Sequence, residues 1–321
     1  MKESRTVYIN GRFTTQRVTG VQRYAWELLN ALDLLLGEGY DITAILLVPP
    51  GASTLRFHNI VTMQKGKLTG HLWEQFELPR LARNGLLFNP CGAAPLFHGP
   101  QITTVHDAAL KDAPEGYGRV FRLWYSRALA HTCRTSKKIL TVSNFSKKQI
   151  AQQFRINPSK IVTTTLGHEH ILRGDPDAAI LDDYGLVPRS YVLAIGSANP
   201  NKNFHLFSEA ALQAKILPLK WVTAGGTDPR IFGHNHETGD HIVKLGYISD
   251  FQLAALYRSA LCFVFPSRYE GFGLPALEAM TYGCPVIVSR QGALEEVCGD
   301  AALYIDPNSA PDLIQQVTAL Y

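Results

Sequence analysis

Short apolar, β-branched runs alternate along the chain with amphipathic stretches. The first run spans Thr6 to Ile9, an amphipathic segment follows near Val21 to Leu36, and another apolar run spans Thr43 to Val48. The pattern resumes at Tyr191 to Ile195 and continues as far as Val286 to Ser289. Strands that alternate with helices indicate βαβ units and a parallel sheet covered by helices. The pattern therefore predicts the α/β class with doubly wound parallel sheets.

A polar stretch that contains Asp and Gly, from Gly167 to Arg189, interrupts this alternation. A chain of 321 residues is long for a single core, and two domains of about 150 residues each are the default expectation. We therefore predict an N-terminal domain at residues 1–172, a linker at 173–189 and a C-terminal domain at 190–321. Two such domains that face each other bind ligands in the cleft outside the carboxyl ends of their strands.

The composition is that of an ordinary globular protein, with 46% hydrophobic and 18% charged residues. No run approaches the roughly 18 apolar residues of a membrane span, and the polar start Met1 to Arg5 does not resemble a secretory signal. The five cysteines are scattered and lack C-x-x-C spacing, which is typical of free thiols in a reducing compartment. We expect a cytoplasmic protein, and a position at the inner face of a membrane stays open.

The net charge of +4 conceals an asymmetry between the two halves of the chain. Residues 1–172 carry 21 Lys and Arg against 11 Asp and Glu, whereas residues 173–321 carry 10 against 16. Much of the positive excess is interleaved with aromatic residues and consists of Arg119, Arg122, Arg127, Arg134, Lys137, Lys138, Lys147 and Lys148. This segment either faces an anionic membrane or a lipid-diphosphate acceptor, or is a solvated basic face. No nucleic-acid partner is expected.

An anion site is predicted where the apolar run Leu261 to Phe265 leads into a glycine-containing loop and then a helix. Gly271 and Gly273 lack a Cβ, so the chain can turn tightly and its N–H groups can approach a ligand closely. Pro275 suits the first helical position, because its missing N–H would be unpaired there in any case. A helix N-terminus carries roughly half a positive charge and several unpaired donors, so phosphate oxygens bind there readily.

Two carboxylates flank this predicted anion site, Glu270 before the helix and Glu278 one turn inside it. A carboxylate would repel a phosphate, whereas it accepts hydrogen bonds from hydroxyl groups. A phosphate flanked by hydroxyl-rich groups is the description of a sugar nucleotide. The residues alone therefore favour a nucleotide-sugar donor as the ligand.

The sequence Glu-Gly-Phe-Gly-Leu-Pro-Ala-Leu-Glu-Ala-Met, with seven residues between Glu270 and Glu278, resembles the signature of retaining glycosyltransferases of the family 4 type. Five other segments resemble landmarks of that family and occur in the family order: Gly20 to Tyr24, Val105 to Asp107, Thr141 to Ser146, Gly196 to Asn203 and Leu245 to Tyr247. The resemblance covers nearly the whole chain. It implies the GT-B fold, in which two Rossmann-like domains face each other across a cleft.

The resemblance implies that one diphosphate is held from both domains. Gly20 would meet it from the N-terminal domain, and the backbone amides of residues 271–274 would meet it from the C-terminal domain. Tyr247 lies where the family receives the base, largely through backbone groups, so the base cannot be identified from this side chain. The implied donor-binding residues are Gly20, Gly196, Ser197, Lys202, Tyr247, Gly271, Phe272, Gly273, Leu274 and Glu278.

Three catalytic residues follow from the same resemblance. Glu270 matches the carboxylate that holds donor-sugar hydroxyls, and His106 matches a histidine beside the donor sugar. Lys202 matches the lysine that neutralises charge on the leaving diphosphate, a task that suits a compact ammonium. Many family members have an arginine near Gly196 or just before this lysine, where this chain has Ser197 and Asn201. Stabilisation of the leaving group would therefore depend more strongly on Lys202 and the amides.

No metal or other cofactor is expected. The backbone amides and Lys202 would replace the metal ion that other sugar-nucleotide enzymes use. Asp175 and Asp177 have the D-x-D spacing of a metal site, but they lie in the predicted linker.

The function predicted on these grounds is retaining transfer of a hexose, with mannose favoured, from a nucleoside-diphosphate sugar. The acceptor would be a hydroxyl of a glycan or lipid-linked glycan in bacterial surface polysaccharide synthesis, since His71 to Gln75 and Leu78-Pro79 resemble O-antigen and exopolysaccharide transferases. Two alternatives stay open, a catalytically impaired GT-B module that binds nucleotide or glycan, and a GT-B sugar-nucleotide epimerase. Family members usually continue past Ala310 to Tyr321 with final crossing helices, which we expect this chain to lack.

Overall fold

The structure is a computed structural model that describes residues 5–52, 57–92, 94–108, 119–196, 199–214, 218–225 and 242–321. The described residues form two compact units, of which the first ends at Thr165 and the second begins at Leu166. Each unit has its own sheet and its own hydrophobic core. The predicted α/β class, with two parallel sheets, is confirmed.

The first unit contains a seven-stranded parallel sheet within the described residues, in the order β3-β2-β1-β4-β5-β6-β7. The strands are β1 Arg5–Asn10, β2 Ile42–Val48, β3 Ile60–Gln64, β4 Leu86–Asn89, β5 Gln101–Thr104, β6 Lys138–Thr141 and β7 Ile161–Thr163. Strand β1 thus has β2 on one side and β4 on the other. The order of the strands reverses at this point, and ligands of open α/β sheets bind beside such a reversal.

Helices cover both faces of this sheet. They are α1 Gly20–Leu36, α2 Gly70–Leu72, a π-helical stretch Trp73–Glu77, α3 Leu78–Leu81, α4 Arg119–Thr135 and α5 Asn144–Phe154. Successive residues of β1 contribute to different clusters, since Ile9 packs with Leu29 of α1, whereas Tyr8 packs against Trp73. This alternation is what a strand buried on both faces requires.

The second unit contains a six-stranded parallel sheet within its described residues, in the order β10-β9-β8-β11-β12-β13. The strands are β8 Tyr191–Gly196, β9 Lys220–Gly225, β10 Ile242–Gly246, β11 Cys262–Phe265, β12 Val286–Ser289 and β13 Ala302–Ile305. The helices are α6 Ala179–Asp183, α7 Phe204–Gln213, α8 Asp250–Ser259, α9 Leu274–Thr281, α10 Leu294–Cys298 and α11 Ala310–Leu320. The strand order reverses between β8 and β11.

Alternate residues of the central strands of this second sheet belong to two separate cores. Phe263 and Phe265 of β11 pack with α8, α9 and α10, whereas Val264 packs with α7 and α11 on the other face. The near-continuous apolar sequence of β11 is therefore explained by burial on both sides.

The boundary between the units differs from the sequence-based assignment of residues 1–172, 173–189 and 190–321. The second unit begins at Leu166, and residues 179–183 of the predicted linker form helix α6. Ile180, Leu181 and Leu186 are buried in the core of the second unit. The polar Asp and Gly residues around them resemble a linker in composition, but these three apolar side chains attach the segment to the second sheet.

Within the part of the chain that the structure describes, no helix is both long and apolar enough to cross a membrane.

Candidate active site

The two strands beside the reversal of the second sheet each lead to a predicted catalytic residue. Strand β8 is followed by a short 3₁₀ turn, Pro200–Lys202, and β11 is followed by the loop that carries Glu270. The carboxyl ends of neighbouring parallel strands lie at the same edge of a sheet, and a reversal of strand order opens a crevice there. Lys202 and Glu270, which are far apart in the sequence, are thereby brought to one place.

Lys202 and Glu270 form an ion pair in which Nζ lies 2.6 Å from Oε1. The side chain of Glu270 is 9% exposed and that of Lys202 is 23% exposed. The ammonium also lies 4.8 Å from the centre of the Phe265 ring, on the last residue of β11. An ammonium has three donors, so its bond to one carboxylate oxygen leaves donors for a second anion.

Asparagines fix the backbone on both sides of Lys202. The Asn199 side chain accepts a hydrogen bond from the Asn201 N–H at 3.0 Å, which starts the turn. Asn203 has left-handed backbone geometry, with φ of 54°, and its amide donates to the carbonyls of Pro266 at 3.1 Å and Pro307 at 2.8 Å. These bonds attach the lysine turn to the loop that precedes Glu270.

Gly196 is required for the approach of the lysine stem. A Cβ on Gly196 would lie 2.9 Å from the Phe204 ring and 3.3 Å from Cγ of Lys202. Ser197, the next predicted donor-binding residue, lies outside the described residues.

The backbone of Glu270 packs against Gly292, which sequence reasoning did not single out. Gly292 has φ of 67°, and a Cβ there would lie 2.3 Å from the Glu270 carbonyl oxygen. The neighbouring Ala293 N–H donates to that same oxygen at 3.0 Å. A side chain at position 292 would therefore displace the backbone of Glu270.

Helix α9 begins as the glycine and proline pattern predicts. Gly273 precedes the helix with φ of 101°, a conformation that favours glycine, and Pro275 lies in the first turn. The Gly273 carbonyl accepts the N–H groups of Ala276 and Leu277. Before Ala276 the helix has the N–H of Leu274, which has no intrahelical acceptor, whereas Pro275 has no N–H, so this end presents a donor and partial positive charge.

Glu278 is held by two buried side chains that sequence reasoning missed. His170 Nε2 donates to Oε1 at 2.8 Å, and the Tyr257 hydroxyl donates to Oε2 at 3.1 Å. Burial, followed by the charge of Glu278, raises the pKa of Tyr257 well above its ordinary value, so the phenol stays a donor. Each carboxylate oxygen has a second acceptor position, so Glu278 can still accept a hydroxyl.

His106 lies in the first unit, just beyond the carboxyl end of β5. Its Nε2 donates to the carbonyl of Pro90 at 3.1 Å, and its ring meets that of Tyr24 edge to face, with centroids 4.8 Å apart. Burial lowers the pKa of His106 to about 4, although the bond to Pro90 acts in the opposite direction. The imidazole is therefore neutral at pH 7, with Nδ1 as its acceptor.

Gly20 is the first residue of α1 and is exposed. The helix is capped by Thr19, whose side chain accepts from the Gln22 N–H while the Gln22 side chain accepts from the Thr19 N–H. A Cβ on Gly20 would meet no atom within 4 Å, so packing inside the protein does not require glycine at this position.

The remaining predicted residues lie along the carboxyl edge of the second sheet. Tyr247 follows β10, two strands away from β8, and its side chain is 61% exposed. Phe272, in the loop before α9, is 8% exposed. The described residues contain no group of three or more His, Cys, Asp or Glu side chains that could hold a metal ion.

Two family models match the chain. The model for glycosyltransferase family 4 matches residues 18–167, and the model for glycosyl transferases group 1 matches residues 184–321. The two matches correspond closely to the first and second structural units.

Curated relatives with similar sequences include two O-antigen mannosyltransferases. O-antigen chain mannosyltransferase B of Escherichia coli is 35% identical over 238 residues, which are 66% of this chain and 61% of that protein. O-antigen chain mannosyltransferase RfbU of Salmonella typhimurium is 28% identical over 316 residues, which are 90% of this chain and 84% of that protein. The aligned part therefore spans less than two thirds of the first relative.

Solved structures with a similar fold include Anabaena Alr3699/HepE in complex with UDP-glucose. Its TM-score is 0.72 at 15% sequence identity, and the alignment covers 98% of this chain and 89% of that one. At this level of sequence identity, the structural similarity shows a shared fold.

Proposed function

Because the chain belongs to the glycosyltransferases of the group 1 and family 4 type, which have the GT-B fold, we propose that it is a retaining hexosyltransferase. The single observation that carries this proposal is the Lys202–Glu270 pair, 2.6 Å apart beside the start of α9. An ammonium and a helix N-terminus on one side of a carboxylate are suited to a ligand that has both a diphosphate and sugar hydroxyls.

In the proposed site, Lys202 and the amides of Gly271 to Leu274 bind the donor diphosphate. Glu270 accepts hydrogen bonds from hydroxyls of the transferred sugar, through the oxygen that Lys202 leaves available. Glu278 accepts from the ribose hydroxyls, while His170 and Tyr257 hold its orientation. Gly196, Ser197 and Tyr247 complete the donor site.

Residues of the first unit take part in the same proposal. Gly20 lets the start of α1 approach the diphosphate without a side chain between them. His106, neutral and with Nε2 occupied by Pro90, accepts a donor-sugar hydroxyl at Nδ1. A neutral imidazole also avoids placing a second cation beside the reacting carbon.

The proposed reaction breaks the bond between the anomeric carbon and the diphosphate oxygen, and forms a bond from that carbon to the acceptor oxygen on the same face. The acceptor hydroxyl loses its proton to the departing phosphate, so the products are an α-linked glycan and a nucleoside diphosphate. No protein nucleophile is needed. Charge on the leaving group is stabilised by Lys202 and the amides in place of a metal.

The donor and acceptor are proposed from the relatives. Two curated relatives are named O-antigen mannosyltransferases, which supports a mannose donor and a glycan or lipid-linked glycan acceptor in bacterial surface polysaccharide synthesis. The complex of HepE with UDP-glucose supports a nucleoside-diphosphate sugar as the general donor class.

A peripheral membrane contact of the first unit is also part of the proposal. Leu72, Phe76 and Phe97 are 59%, 55% and 90% exposed, and segment 94–97 is attached to Gln75 by hydrogen bonds with Ala94 and Leu96. Exposed apolar side chains on a basic unit suit an anionic lipid surface.

The test is a transfer assay with radiolabelled GDP, UDP and ADP sugars and a lipid-linked glycan extract, followed by NMR of the product. We expect one donor to be consumed with retention of the α configuration, and Glu270→Ala and Lys202→Ala to lower kcat at least about 100-fold. Donor binding without turnover would favour a binding module, and a free epimerised nucleotide sugar would favour an epimerase. An inverted product would refute the retaining mechanism.

A further inference from the structure

A buried polar cluster lies at the reversal of the strand order in the first sheet and is not used in the donor site. Strand β1 ends in Asn10, and the neighbouring strand β4 ends in Asn89. Asn10 donates to Asn89 at 3.0 Å and to Glu74 at 2.9 Å. Ligands of α/β sheets bind outside the carboxyl ends of strands at such a reversal.

Arg12 is the cation of this cluster. Its Nε donates to Glu74 Oε1 at 2.9 Å, with the Arg12 side chain 11% exposed and that of Glu74 1% exposed. No partner for either Nη atom lies among the described residues, so the outer edge of the guanidinium keeps its N–H donors. Gly11 makes this position possible, because a Cβ there would lie 2.4 Å from the Leu47 carbonyl oxygen.

Glu74 holds Arg12 and is itself held in place. His71, which is 56% exposed, bonds to the second carboxylate oxygen of Glu74 at 3.2 Å. Burial alone would raise the pKa of Glu74, but the bond to His71 and the charge of Arg12 outweigh this and lower it. Arg12 is therefore a cation held in a fixed position by an ionised carboxylate rather than a mobile surface charge.

The cluster adjoins the predicted donor-facing residues of the first unit through the loop after β4. Pro90 accepts the hydrogen bond from His106, and the next residue, Cys91, donates to the carbonyl of Val21 in the first turn of α1. Burial raises the pKa of the Cys91 thiol to about 12, and the nearby charges of Arg12 and Glu74 act on that pKa in opposite directions. One loop thus joins the start of α1 to His106, and its Cys91 lies near enough to Arg12 and Glu74 for their charges to act on it.

We propose that Arg12, held by Glu74, binds the acceptor sugar by donating from its Nη groups to neighbouring hydroxyl oxygens. This inference rests on the proposed transferase function. A neutral, hydroxyl-rich ligand fits better than an anion, because a phosphate on the same guanidinium would lie close to the Glu74 carboxylate. A planar guanidinium fork suits two adjacent hydroxyls, and its fixed position would orient the attacking oxygen beside His106.

The test uses methyl α-mannoside as the acceptor probe, and titrates it into protein saturated with the nucleoside diphosphate. Arg12→Lys keeps a positive charge beside Glu74 but removes the planar fork. The dissociation constant for the mannoside should rise about 10- to 100-fold, because hydrogen bonds from a charged donor are lost. Glu74→Gln should raise it as well, and the exposed Arg83→Lys serves as the matched control and should leave it unchanged.

Nucleotide binding to the same variants separates this inference from the proposed function. Wild type that binds no nucleoside diphosphate would refute the proposed function. Two results would overturn the acceptor assignment alone, provided that wild type binds nucleotide. One is equal affinity of the mannoside for Arg12→Lys and wild type, and the other is no binding of the mannoside to wild type. A loss of nucleotide affinity in Arg12→Lys equal to the loss for mannoside would overturn it too, since Arg12 would then serve the donor.

Discussion

Replacement of Lys202 by Met tests the role proposed for this side chain at the donor diphosphate together with its observed pairing with Glu270. Met keeps an unbranched chain of similar length beside the Phe265 ring but removes the ammonium. The donor diphosphate would lose its main cation, and Glu270 would lose the partner that lies 2.6 Å away.

The expected magnitudes follow from the geometry of the pair. Removal of a preorganised donor that stabilises transition-state charge lowers kcat about 100- to 1000-fold. Loss of one partner of a fully buried pair costs about 3 to 5 kcal/mol, and we expect about 2 kcal/mol here because the Lys202 side chain is 23% exposed.

The assay compares four proteins by steady-state transfer and by urea unfolding: wild type, Lys202→Met, Lys202→Met with Glu270→Gln, and the exposed control Lys67→Met. The double variant should recover most of the lost free energy of unfolding, because no unpaired carboxylate remains, but it should recover no activity. A kcat for Lys202→Met within threefold of wild type would refute the role of Lys202 in leaving-group stabilisation.

Three further predictions concern the other site residues. Gly20→Ala should leave the melting temperature unchanged, because a Cβ at this position meets no atom within 4 Å. The added methyl group should nevertheless weaken donor binding about tenfold, as measured by calorimetry. Unchanged donor affinity would remove Gly20 from the donor site. His170→Ala should lower the free energy of unfolding by about 2 kcal/mol and raise the donor KM, since Glu278 loses a buried partner. His170→Gln should change the free energy of unfolding and the donor KM less. Equal behaviour of the two variants would contradict the positioning role of His170. Burial lowers the pKa of His106 from 6.5 to about 4. Between these pH values the unfolded chain binds a proton that the folded chain does not. The free energy of unfolding should therefore fall by about 3 kcal/mol as the pH drops from 6.5 to 4. His106→Gln, which retains a donor toward Pro90, should flatten that part of the stability curve, and a curve identical to wild type would show that another group is responsible.

Much of the second unit could be predicted from the sequence because local rules determine it. The apolar run before Glu270 predicts a strand buried on both faces, and β11 is one. The glycines and Pro275 predict the start of a helix, and α9 begins there with Gly273 at φ of 101°. Each of these features depends on a few consecutive residues, so tertiary context does not alter it.

The side-chain pairs could not be predicted, since they join residues that are distant in the sequence. His170 meets Glu278 across 108 positions and Arg12 meets Glu74 across 62, and no periodicity or spacing encodes either contact. The family landmarks led to Glu278 but not to its partners. A weak signal was present, because a glutamate among apolar helix neighbours requires a buried donor.

The boundary between the two domains also depends on contacts that the sequence does not reveal. Composition around residues 173–189 is that of a linker, whereas three apolar residues within it decide where the segment packs. Average polarity over a window conceals a few well-placed hydrophobic contacts, so sequence reasoning ended the first domain at residue 172 rather than at Thr165.

The most direct measurement of the central claim is calorimetric titration of the protein with GDP, UDP and ADP sugars, repeated with Lys202→Met. We expect one nucleoside-diphosphate sugar to bind with a dissociation constant between about 1 μM and 1 mM, and the Lys202→Met variant to bind it at least about tenfold more weakly. Absence of binding by all three donors, or equal affinity of wild type and variant, would contradict the claim that Lys202 and the start of α9 hold a sugar-nucleotide diphosphate.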